Sequence, residues 1–314
     1  QIATYNVSAD GTTIQYVGKK EWGDFAFAKD LVKVDENTYA VAWAWFYSPY
    51  TGHIATLDIS TDGTTIDTVK TLKFQDGQMN TNSDVRMVKV DDDTYVLAYR
   101  GYNKDTEGGT VWGGWIKTFT VNGGTITQTA QLRHAEVQTT WHSLVQVDAN
   151  TYLLAYTDDS NDGWLKTFTI PTDGSSITAV ASLEQDTDNG THNSLVQLDA
   201  DTYVNSWQTS SSEGKIGTYT IPADGSTITE VTTLVHDGST TYGYNSLITI
   251  DANTVLLTYA GEGEDGYLKT FNIPADGSTI TEKIVLEHDE YWGVYNSVVQ
   301  VDFDTYALAY YGYD

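Results

Sequence analysis

The chain has no cysteine, so neither a disulfide framework nor thiolate chemistry is available to it, and its redox compartment stays open. It is also poor in basic residues, with 16 Lys and Arg against 43 Asp and Glu and a formal net charge of −27. Such a charge repels phosphate backbones and anionic lipid surfaces, so we expect no nucleic-acid partner. No apolar run reaches the roughly 18 residues of a membrane-spanning helix, so we expect no insertion into a membrane.

Sequence motifs of catalysis are missing as well. The chain contains no nucleophile elbow, no His-Glu-x-x-His, no phosphate-binding loop and no dinucleotide fingerprint. Their absence weakens the case for an enzyme, but it leaves open a catalyst assembled from the loops of several repeats.

What the chain does contain is one sequence phrase that recurs six times. Each copy carries an anchor aspartate just before a short turn, and these aspartates are spaced 56, 57, 51, 52 and 51 residues apart: Asp35, Asp91, Asp148, Asp199, Asp251 and Asp302. A period of this size is within the range of the blade repeats of propellers.

Each copy is predicted to form four short β-strands, a to d, with no helical periodicity between them. In the fourth copy we predict strands at 192–198, 203–208, 215–221 and 228–235. Strands a and b carry consecutive apolar residues, as in Leu153-Leu154-Ala155, which indicates that both of their faces are buried. A sheet covered on both sides by similar sheets favours a propeller, and a linear solenoid is the alternative.

The two ends of the chain favour a ring. The chain starts with a c–d pair, 2–7 and 13–17, and it finishes with an a–b pair, 295–301 and 305–311. Pairing them would complete one blade and remove the exposed edges that a linear array has to cap. We therefore predict an all-β fold, a single six-bladed β-propeller over residues 1–314 with four antiparallel strands per blade, closed by the N-terminal c–d strands pairing with the C-terminal a–b strands. The inner a strands are predicted near 27–34, 84–90, 141–147, 192–198, 244–250 and 295–301.

The repeat resembles the β-propeller superfamily. It is similar in particular to tandem blade repeats of secreted microbial or environmental proteins of unassigned function, through Tyr-Leu-Lys-Thr-Phe at 267–271, Leu-Glu-His-Asp at 286–289 and Tyr-Asn-Ser at 295–297. The resemblance covers the whole chain. The chain lacks the Trp-Asp signature, the kelch Gly-Gly pattern, the sialidase box and the Asp-x-Asp-x-Asp-Gly calcium loop, so the resemblance implies a fold and transfers no site.

A site is predicted on one face of this fold. In a propeller the d–a and b–c loops share one face, and in this chain the d–a segments differ between copies while the a–b and c–d turns are nearly uniform. Variable loops on a rigid frame commonly carry binding. The candidate ligand-binding residues lie at the heads of the a strands or on the variable loops: Asp84, Arg86, Trp141, His142, His192, Tyr244, Tyr295, Trp22, Trp112 and Trp292.

Structural roles are the alternative to ligand binding for these residues and their neighbours. The aromatic rings could fill gaps between tapering blades instead of stacking on sugar faces. The repeated Asn-Ser that follows them could cap backbone groups of neighbouring blades. The charged residues of the first two copies, Lys29, Asp30, Asp84 and Arg86, should pair with one another or with a ligand, because an unpaired charge at a crowded centre is costly.

No metal or other cofactor is expected, except that one loop could bind Ca²⁺. His134, His236 and His288 occupy equivalent positions in different copies, too far apart to share a transition metal. His142 and His192 lie nearer the axis but in adjacent positions along the strands, and this offset disfavours a zinc ion shared between them. The b–c loop Asp158-Asp159-Ser160-Asn161-Asp162 could hold Ca²⁺, although aspartate-rich turns are usually only solvated.

The predicted function is recognition without chemistry. We expect a monomeric, extracellular or cell-surface module that binds carbohydrate or an extracellular protein on the d–a and b–c loop face. A secreted hydrolase or lyase with its site at the channel mouth is one alternative, in which Asp84, Arg86, His142, His192, Tyr244 and Tyr295 would form the catalytic constellation. A structural component of a surface layer or virion is another.

Overall fold

A computed structural model describes residues 1–8, 13–21, 26–45, 50–75, 79, 85–104, 109–122, 125–239 and 244–312. These residues form 24 β-strands in seven antiparallel sheets, and a single 3₁₀ helix, Glu262–Glu264, is the helical element among them. No helix in this described part is long and apolar enough to cross a lipid bilayer. The chain divides into two compact units, the first built from Gln1–Thr140 with Ile170–Thr178 and the second from Trp141–Thr169 with Ala179–Asp314.

The first unit contains a two-stranded sheet and two four-stranded sheets. The two-stranded sheet consists of β1 (Ile2–Val7) and β2 (Ile14–Lys20). The next sheet consists of β3 (Ala26–Lys33), β4 (Thr38–Trp45), β5 (Gly52–Ile59) and β6 (Ile66–Gln75). The third consists of β7 (Val85–Lys89), β8 (Thr94–Lys104), β9 (Thr110–Asn122) and β10 (Thr125–Ala135).

The second unit contains three four-stranded sheets and a final two-stranded one. Their strands are β11 (Thr140–Asp148), β12 (Thr151–Thr157), β13 (Gly163–Thr169) and β14 (Thr178–Asp186); β15 (Thr191–Gln197), β16 (Thr202–Gln208), β17 (Gly214–Thr220) and β18 (Thr229–Asp237); β19 (Ser246–Asp251), β20 (Thr254–Ala260), β21 (Gly266–Asn272) and β22 (Thr281–Asp289); and β23 (Val294–Gln300) with β24 (Tyr306–Tyr311).

Each four-stranded sheet is a meander in which consecutive strands are neighbours. The predicted a, b, c and d strands are therefore confirmed as elements, and the fourth-copy strands lie within two residues of their predicted ends. The two-stranded sheets at the ends of the chain are also confirmed. Their outer edges stay open, because most of β24 is exposed whereas every residue of the equivalent strand β12 is buried.

Burial differs between strands a and b. Strand b is buried on both faces, as predicted, in β12 and almost completely in β16 and β20. For strand a the prediction was wrong, because buried residues alternate with partly exposed ones along β11 and β15. Strand a is an edge strand with only one hydrogen-bonded neighbour, so only alternate side chains pack into the sheet interface.

The cores of both units are made of the b and c strands. In the first unit Tyr99, Trp115 and Phe119 are fully buried, and in the second unit Leu257 and Phe271 are. Burying an aliphatic or aromatic side chain of this size stabilises a fold by about 1.5–3 kcal/mol. The consecutive apolar residues noted in the sequence therefore form the interfaces between successive sheets.

Successive sheets are also joined by repeated hydrogen bonds. A threonine hydroxyl of strand c donates to the carbonyl oxygen of a glycine in the c–d turn of the following sheet. The pairs are Thr4 with Gly63 at 2.6 Å, Thr118 with Gly174 at 2.7 Å, Thr167 with Gly225 at 2.7 Å and Thr218 with Gly277 at 2.8 Å. The glycines have φ of 63–71°, a left-handed conformation that favours glycine. The two-stranded sheet β1–β2 is thus bonded to the following sheet in the same way as a complete four-stranded sheet.

Candidate functional site

Four aromatic rings of the second unit form a continuous row at the start of strands a. Trp141, His192, Tyr244 and Tyr295 occupy equivalent positions in four successive sheets, and we call them the aromatic row. The ring centroids of Trp141 and His192 are 3.6 Å apart, those of His192 and Tyr244 are 5.0 Å apart, and those of Tyr244 and Tyr295 are 4.0 Å apart. The sequence-predicted residues of this position are therefore brought together, each in contact with the next.

The backbone is strained at three of the four residues of the row. Trp141, His192 and Tyr295 have φ of 53°, 58° and 58°, in the left-handed region that bulky side chains rarely adopt. A β-bulge lies at the same point of the strand, between Thr191 and Ser194 and between Val294 and Ser297. Bulges redirect side chains, and strain retained at equivalent positions commonly marks a functional surface.

The row ends in a depression, which we call the aromatic corner. It has a volume of about 310 Å³ and is lined by Trp292, Val294, Tyr295 and Tyr311. The ring of Tyr311 is nearly perpendicular to the other two, at 86° to Trp292 with centroids 5.8 Å apart and at 89° to Tyr295 with centroids 6.5 Å apart. The corner is open to solvent, because Tyr295 and Tyr311 are 57% and 52% exposed.

The loop that carries Trp292 is held from both sides. The Asp289 carboxylate accepts hydrogen bonds from the backbone N–H groups of Tyr291 and Trp292, each at 2.9 Å, and these bonds lower the pKa of Asp289. The N–H of Gly293 donates to the carbonyl oxygen of Glu264 at 2.8 Å. A Cβ on Gly293 would lie 2.2 Å from the Cα of Gly266, so glycine is required at this point.

Bonds equivalent to Gly293–Glu264 tie the variable loops together in other sheets. The N–H of Met79 donates to the Tyr50 carbonyl and that of Gly190 to the Asn161 carbonyl, both at 2.8 Å. In each case a residue just after strand d is bonded to one between strands b and c. The d–a and b–c loops therefore meet within each of these sheets, as the sequence predicted.

The residues that follow the row are structural. His142 is fully buried, which removes it from the surface that the sequence analysis assigned to it. Asn193 is also buried, and its side chain donates to the Gly190 carbonyl at 2.9 Å and accepts from Gln185 at 2.7 Å. His142 and Asn193 therefore face away from solvent, and Asn193 orders the head of its strand a.

The repeated serine caps the next sheet, as the structural alternative predicted. The hydroxyl oxygens of Ser143 and Ser194 accept hydrogen bonds from the N–H groups of Leu195 and Leu247 at 3.0 and 2.9 Å. Asp30 occupies the same position and accepts from the N–H of Met87 at 2.7 Å. Burial raises the pKa of Asp30, and its hydrogen bonds and the nearby Arg86 oppose this rise. The Asp30 charge is therefore met mainly by backbone donors.

The other candidates do not join the row. Arg86 and Trp112 belong to the first unit, where Arg86 donates to the Val85 carbonyl at 3.2 Å. Trp112 was assigned to a b–c loop, but the strands β8 and β9 continue as a hairpin, in which Trp112 pairs with Tyr102. The Arg100 guanidinium lies 5.6 Å from the centre of its ring. Trp22 and Asp84 lie outside the described residues, as does the side chain of Lys29.

Metal ligands do not converge in the described part of the chain, where no group of three His, Asp or Glu side chains could hold an ion. In the b–c loop 158–162, the Asp158 carboxylate accepts from the N–H groups of Ser160 and Asp162 at 2.8 and 3.0 Å and from the Trp164 indole at 3.0 Å. These donors occupy oxygens that a calcium ion would need. Calcium binding in this loop stays a prediction.

Sequence reasoning missed Tyr311 and Val294. Tyr311 ends strand β24, at the position held by Thr157, Gln208 and Ala260 in the preceding sheets. A comparison of copies along strand b would have singled it out as the aromatic residue of that set. The sequence comparison was confined to strand a and the variable loops, so this wall of the corner was overlooked.

No protein-family model and no curated protein sequence matches the chain. Solved structures do. A periplasmic gluconolactonase of Pseudomonas aeruginosa is 11% identical, with a TM-score of 0.65 over 94% of this chain and 80% of that one. The Saccharomyces cerevisiae protein Sqt1 is 12% identical, with a TM-score of 0.60 over 99% and 75%.

A mutant of the NanB sialidase of Streptococcus pneumoniae is 12% identical, with a TM-score of 0.59 over 93% of this chain and 66% of that one, so the chain spans just under two thirds of the sialidase. The sialidase and the gluconolactonase are β-propellers. At such low identities the likeness shows the fold alone. The chain has an all-β fold of the β-propeller type.

Proposed function

We propose that the chain is a non-catalytic recognition module that binds carbohydrate on the aromatic row. The observation that carries the proposal is the row itself, in which Trp141, His192, Tyr244 and Tyr295 are in contact and all but Tyr244 have a left-handed backbone. Aromatic faces stack on the apolar faces of pyranose rings, and binding sites combine such walls with a few polar groups. The extracellular setting and the monomeric state stay predictions.

The proposal includes a ring of six blades. Its support is that β1–β2 has the features of a c–d pair, including the bulge after Thr4 that recurs after Thr56 and Thr218. The sheet β23–β24 has those of an a–b pair, with the left-handed Tyr295 at its head. Each half sheet is exposed along the strand that lacks a neighbour. Joining the halves would cover both and would make residues 1–314 one domain.

A carbohydrate-active enzyme is the second candidate, because two structural neighbours are named as a sialidase and a gluconolactonase. The geometry of the second unit disfavours the constellation named from the sequence. His142 is fully buried and cannot reach a substrate in this conformation. His192 lies stacked against Trp141, so a catalyst here would have to use His192 with Tyr244 or Tyr295.

A glycan array probed with labelled protein tests the proposal, and analysis of the bound glycans for products separates the two candidates. We expect binding without cleavage. Trp141→Ala should weaken binding about tenfold, because it removes one stacking face, whereas Phe303→Ala is the matched control. Phe303 is 93% exposed in the turn at the opposite end of β23. Cleavage lost in Tyr244→Phe would establish the enzyme instead, and an array with no bound glycan would refute both.

A further inference from the structure

We propose that a buried polar cluster fixes the order of the sheets, so that sheet β15–β18 packs on its own predecessor, β11–β14, and on no other sheet. This inference concerns the assembly of the chain and does not rest on carbohydrate binding. The cluster consists of four buried side chains: Gln185, Asn193, Asn205 and Tyr219. Gln185 belongs to strand d of sheet β11–β14, and the other three belong to sheet β15–β18.

Hydrogen bonds join the cluster across the interface between these two sheets. The Nε2 of Gln185 donates to the Oδ1 of Asn193 at 2.7 Å. The Oε1 of Gln185 accepts from the Nδ2 of Asn205 at 2.9 Å and from the Tyr219 hydroxyl at 3.2 Å. The Nδ2 of Asn205 also donates to the Oδ1 of Asn193 at 2.9 Å. Gln185 is therefore bonded to three side chains of the following sheet.

Two other interfaces place different residues at these positions. Phe74 and His236 stand where Gln185 does, as the penultimate residue of strand d. The cross-strand pair that faces them consists of leucine and lysine, Leu97 with Lys117 and Leu257 with Lys269. Each lysine donates to the carbonyl oxygen of the d-strand residue, Lys117 to Phe74 at 2.6 Å and Lys269 to His236. These interfaces thus combine apolar packing with one lysine bond.

The interface of the cluster differs from both at several positions together. Its cross-strand pair is Asn205 with Gly217, so it has neither the leucine nor the lysine. Tyr219 stands where the other two interfaces have Phe119 and Phe271, and Trp207 stands where they have Tyr99 and Tyr259. A Cβ on Gly217 would lie 3.0 Å from the Trp207 ring, so the tryptophan occupies the space of the lysine. The changes therefore depend on one another.

The cluster does not serve stability best. Asn205 is fully buried, and its Oδ1 has no hydrogen-bond partner among the described residues. An unsatisfied buried acceptor destabilises a fold, and the leucine of the other interfaces avoids this cost. In coiled coils, a single buried polar residue selects register and partner at the expense of stability. We assign the same role to this cluster.

Selection is needed because sheets of similar sequence can exchange partners within a chain or between chains, a common failure of repeat proteins. If sheet β19–β22 packed on strand β14, Leu257 would face Gln185, and the Gln185 amide would lose its three partners. If sheet β15–β18 packed on strand β18, Asn205 would face His236, whose carbonyl oxygen would lose the Lys269 donor. Both exchanges bury unpaired polar groups, so the cluster disfavours them.

Two single substitutions test the proposal, because both break the Gln185–Asn205 hydrogen bond and only one creates a match for a wrong sheet. Gln185→His gives strand β14 the residue of strand β18, onto which sheet β19–β22 packs. Asn205→Leu is the matched control, because it leaves Gln185 on strand β14. Each full-length protein is unfolded in urea, refolded by dilution at several protein concentrations and analysed by size-exclusion chromatography with light scattering.

We expect both variants to unfold at a lower urea concentration than the unaltered protein. Dimers and larger species should be about fivefold more abundant in refolded Gln185→His than in Asn205→Leu, because sheet β19–β22 of a second chain can then pack on strand β14. Their share should rise with protein concentration. An equal share of monomer in the two variants would overturn the proposal.

A variant with five substitutions repeats the test in case Gln185→His does not fold. It gives this interface the residues of the next one: Gln185→His, Asn205→Leu, Trp207→Tyr, Gly217→Lys and Tyr219→Phe. We expect its urea midpoint to equal or exceed that of the unaltered protein, because the unsatisfied acceptor is gone, and we expect the same increase in larger species. A lower midpoint would show that the cluster stabilises the fold, and a purely monomeric product would show that it does not select the partner. Either result would overturn the proposal.

Discussion

The hydroxyl of Thr4 donates a hydrogen bond to the carbonyl oxygen of Gly63 at 2.6 Å. The same bond joins Thr218 of a complete sheet to Gly277 of the next one. The first two strands are therefore built and placed as the c–d half of a blade. In the proposed ring, β23–β24 supplies the a–b half that these strands lack, because it has the matching features.

The first prediction is a disulfide between the two ends of the chain. The b–c pairing of β16 with β17, in which Asn205 lies opposite Gly217, places Leu308 opposite Ala3 when the ring is closed. Opposed residues of antiparallel strands have Cβ atoms about 4.5–5.5 Å apart, close to the separation in a disulfide. Because the chain has no cysteine, the double variant Ala3→Cys/Leu308→Cys should form one internal bond and gain about 2–4 kcal/mol in free energy of unfolding.

Non-reducing electrophoresis and mass spectrometry detect that bond. The control is Ala3→Cys/Ala307→Cys, because a shift of one residue moves a strand side chain to the opposite face of the sheet. The control pair should stay reduced. If neither pair forms an internal disulfide, or if the bonds form only between molecules, the closed ring is refuted.

The second prediction concerns acid stability and His236. Burial lowers the pKa of His236 to about 3, below its ordinary value of 6.5. Between these values the unfolded chain binds a proton that the folded chain does not, so the free energy of unfolding should fall as the pH falls from 6.5 towards 3. A whole proton corresponds to about 1.4 kcal/mol per pH unit.

The variant His236→Phe should remove this part of the pH dependence and still fold. Phe74 is the equivalent residue of an earlier sheet and packs on Tyr99 and Phe119, with centroids 4.9 and 6.3 Å away. His236 packs on Tyr259 and Phe271 in the same way, at 4.8 and 6.0 Å. Denaturant titrations at pH 7 and pH 5 measure the effect. If the free energy of unfolding falls equally from pH 7 to pH 5 in the unaltered protein and in His236→Phe, then His236 is not the group responsible for the fall.

The third prediction is that Glu264→Asn stabilises the protein. Glu264 has a φ of 74°, and Asn161, which makes the equivalent loop bond, has a φ of 73°. Asparagine tolerates the left-handed conformation better than glutamate, so the free energy of unfolding should rise by about 0.5–1 kcal/mol. Glu262→Asn removes the same charge two residues away at a position outside the left-handed set. Thermal unfolding should show a larger gain for Glu264→Asn, and an equal gain would attribute the effect to charge alone.

The fourth prediction is that Asp30 can be replaced by the serine found at equivalent positions. Asp30→Ser keeps an acceptor for the N–H of Met87, whereas Asp30→Ala leaves that donor without one, at a cost of about 1–2 kcal/mol. The raised pKa of Asp30 means that the folded state disfavours the ionised carboxylate. The stability of Asp30→Ser relative to the unaltered protein should therefore increase as the pH rises above 4. A serine variant as unstable as the alanine variant would contradict this account.

Much of the fold could be predicted because the strands and turns of each repeat are determined by residues close to them in the sequence. The anchor aspartates cap their turns through their own carboxylates, as Asp35 does for the N–H groups of Asn37 and Thr38 at 3.1 and 2.9 Å. Consecutive apolar residues marked the buried b strands. The pattern of apolar residues could not predict that strand a is half exposed, because its burial depends on its place at the edge of the sheet.

The candidate site was predicted in part. Comparing copies brought Trp141, His192, Tyr244 and Tyr295 to one position, and their contacts follow from the repeat geometry. The same comparison placed His142 on the surface, whereas it is fully buried. A shift of one residue along a strand moves a side chain to the other face, and the equivalent strands β15 and β23 carry a bulge at this point. Tyr311 lies on another strand, and only the fold brings it to Trp292.

The central claim is that the aromatic row binds carbohydrate, and calorimetric titration of the tightest array glycan tests it most directly. The unaltered protein, Tyr244→Ala and Phe303→Ala are compared under the same conditions. Tyr244 contacts both His192 and Tyr295, so we expect its loss to lower the association constant about tenfold, whereas Phe303→Ala should bind within twofold of the unaltered protein. Undiminished binding by a correctly folded Tyr244→Ala variant would contradict the claim.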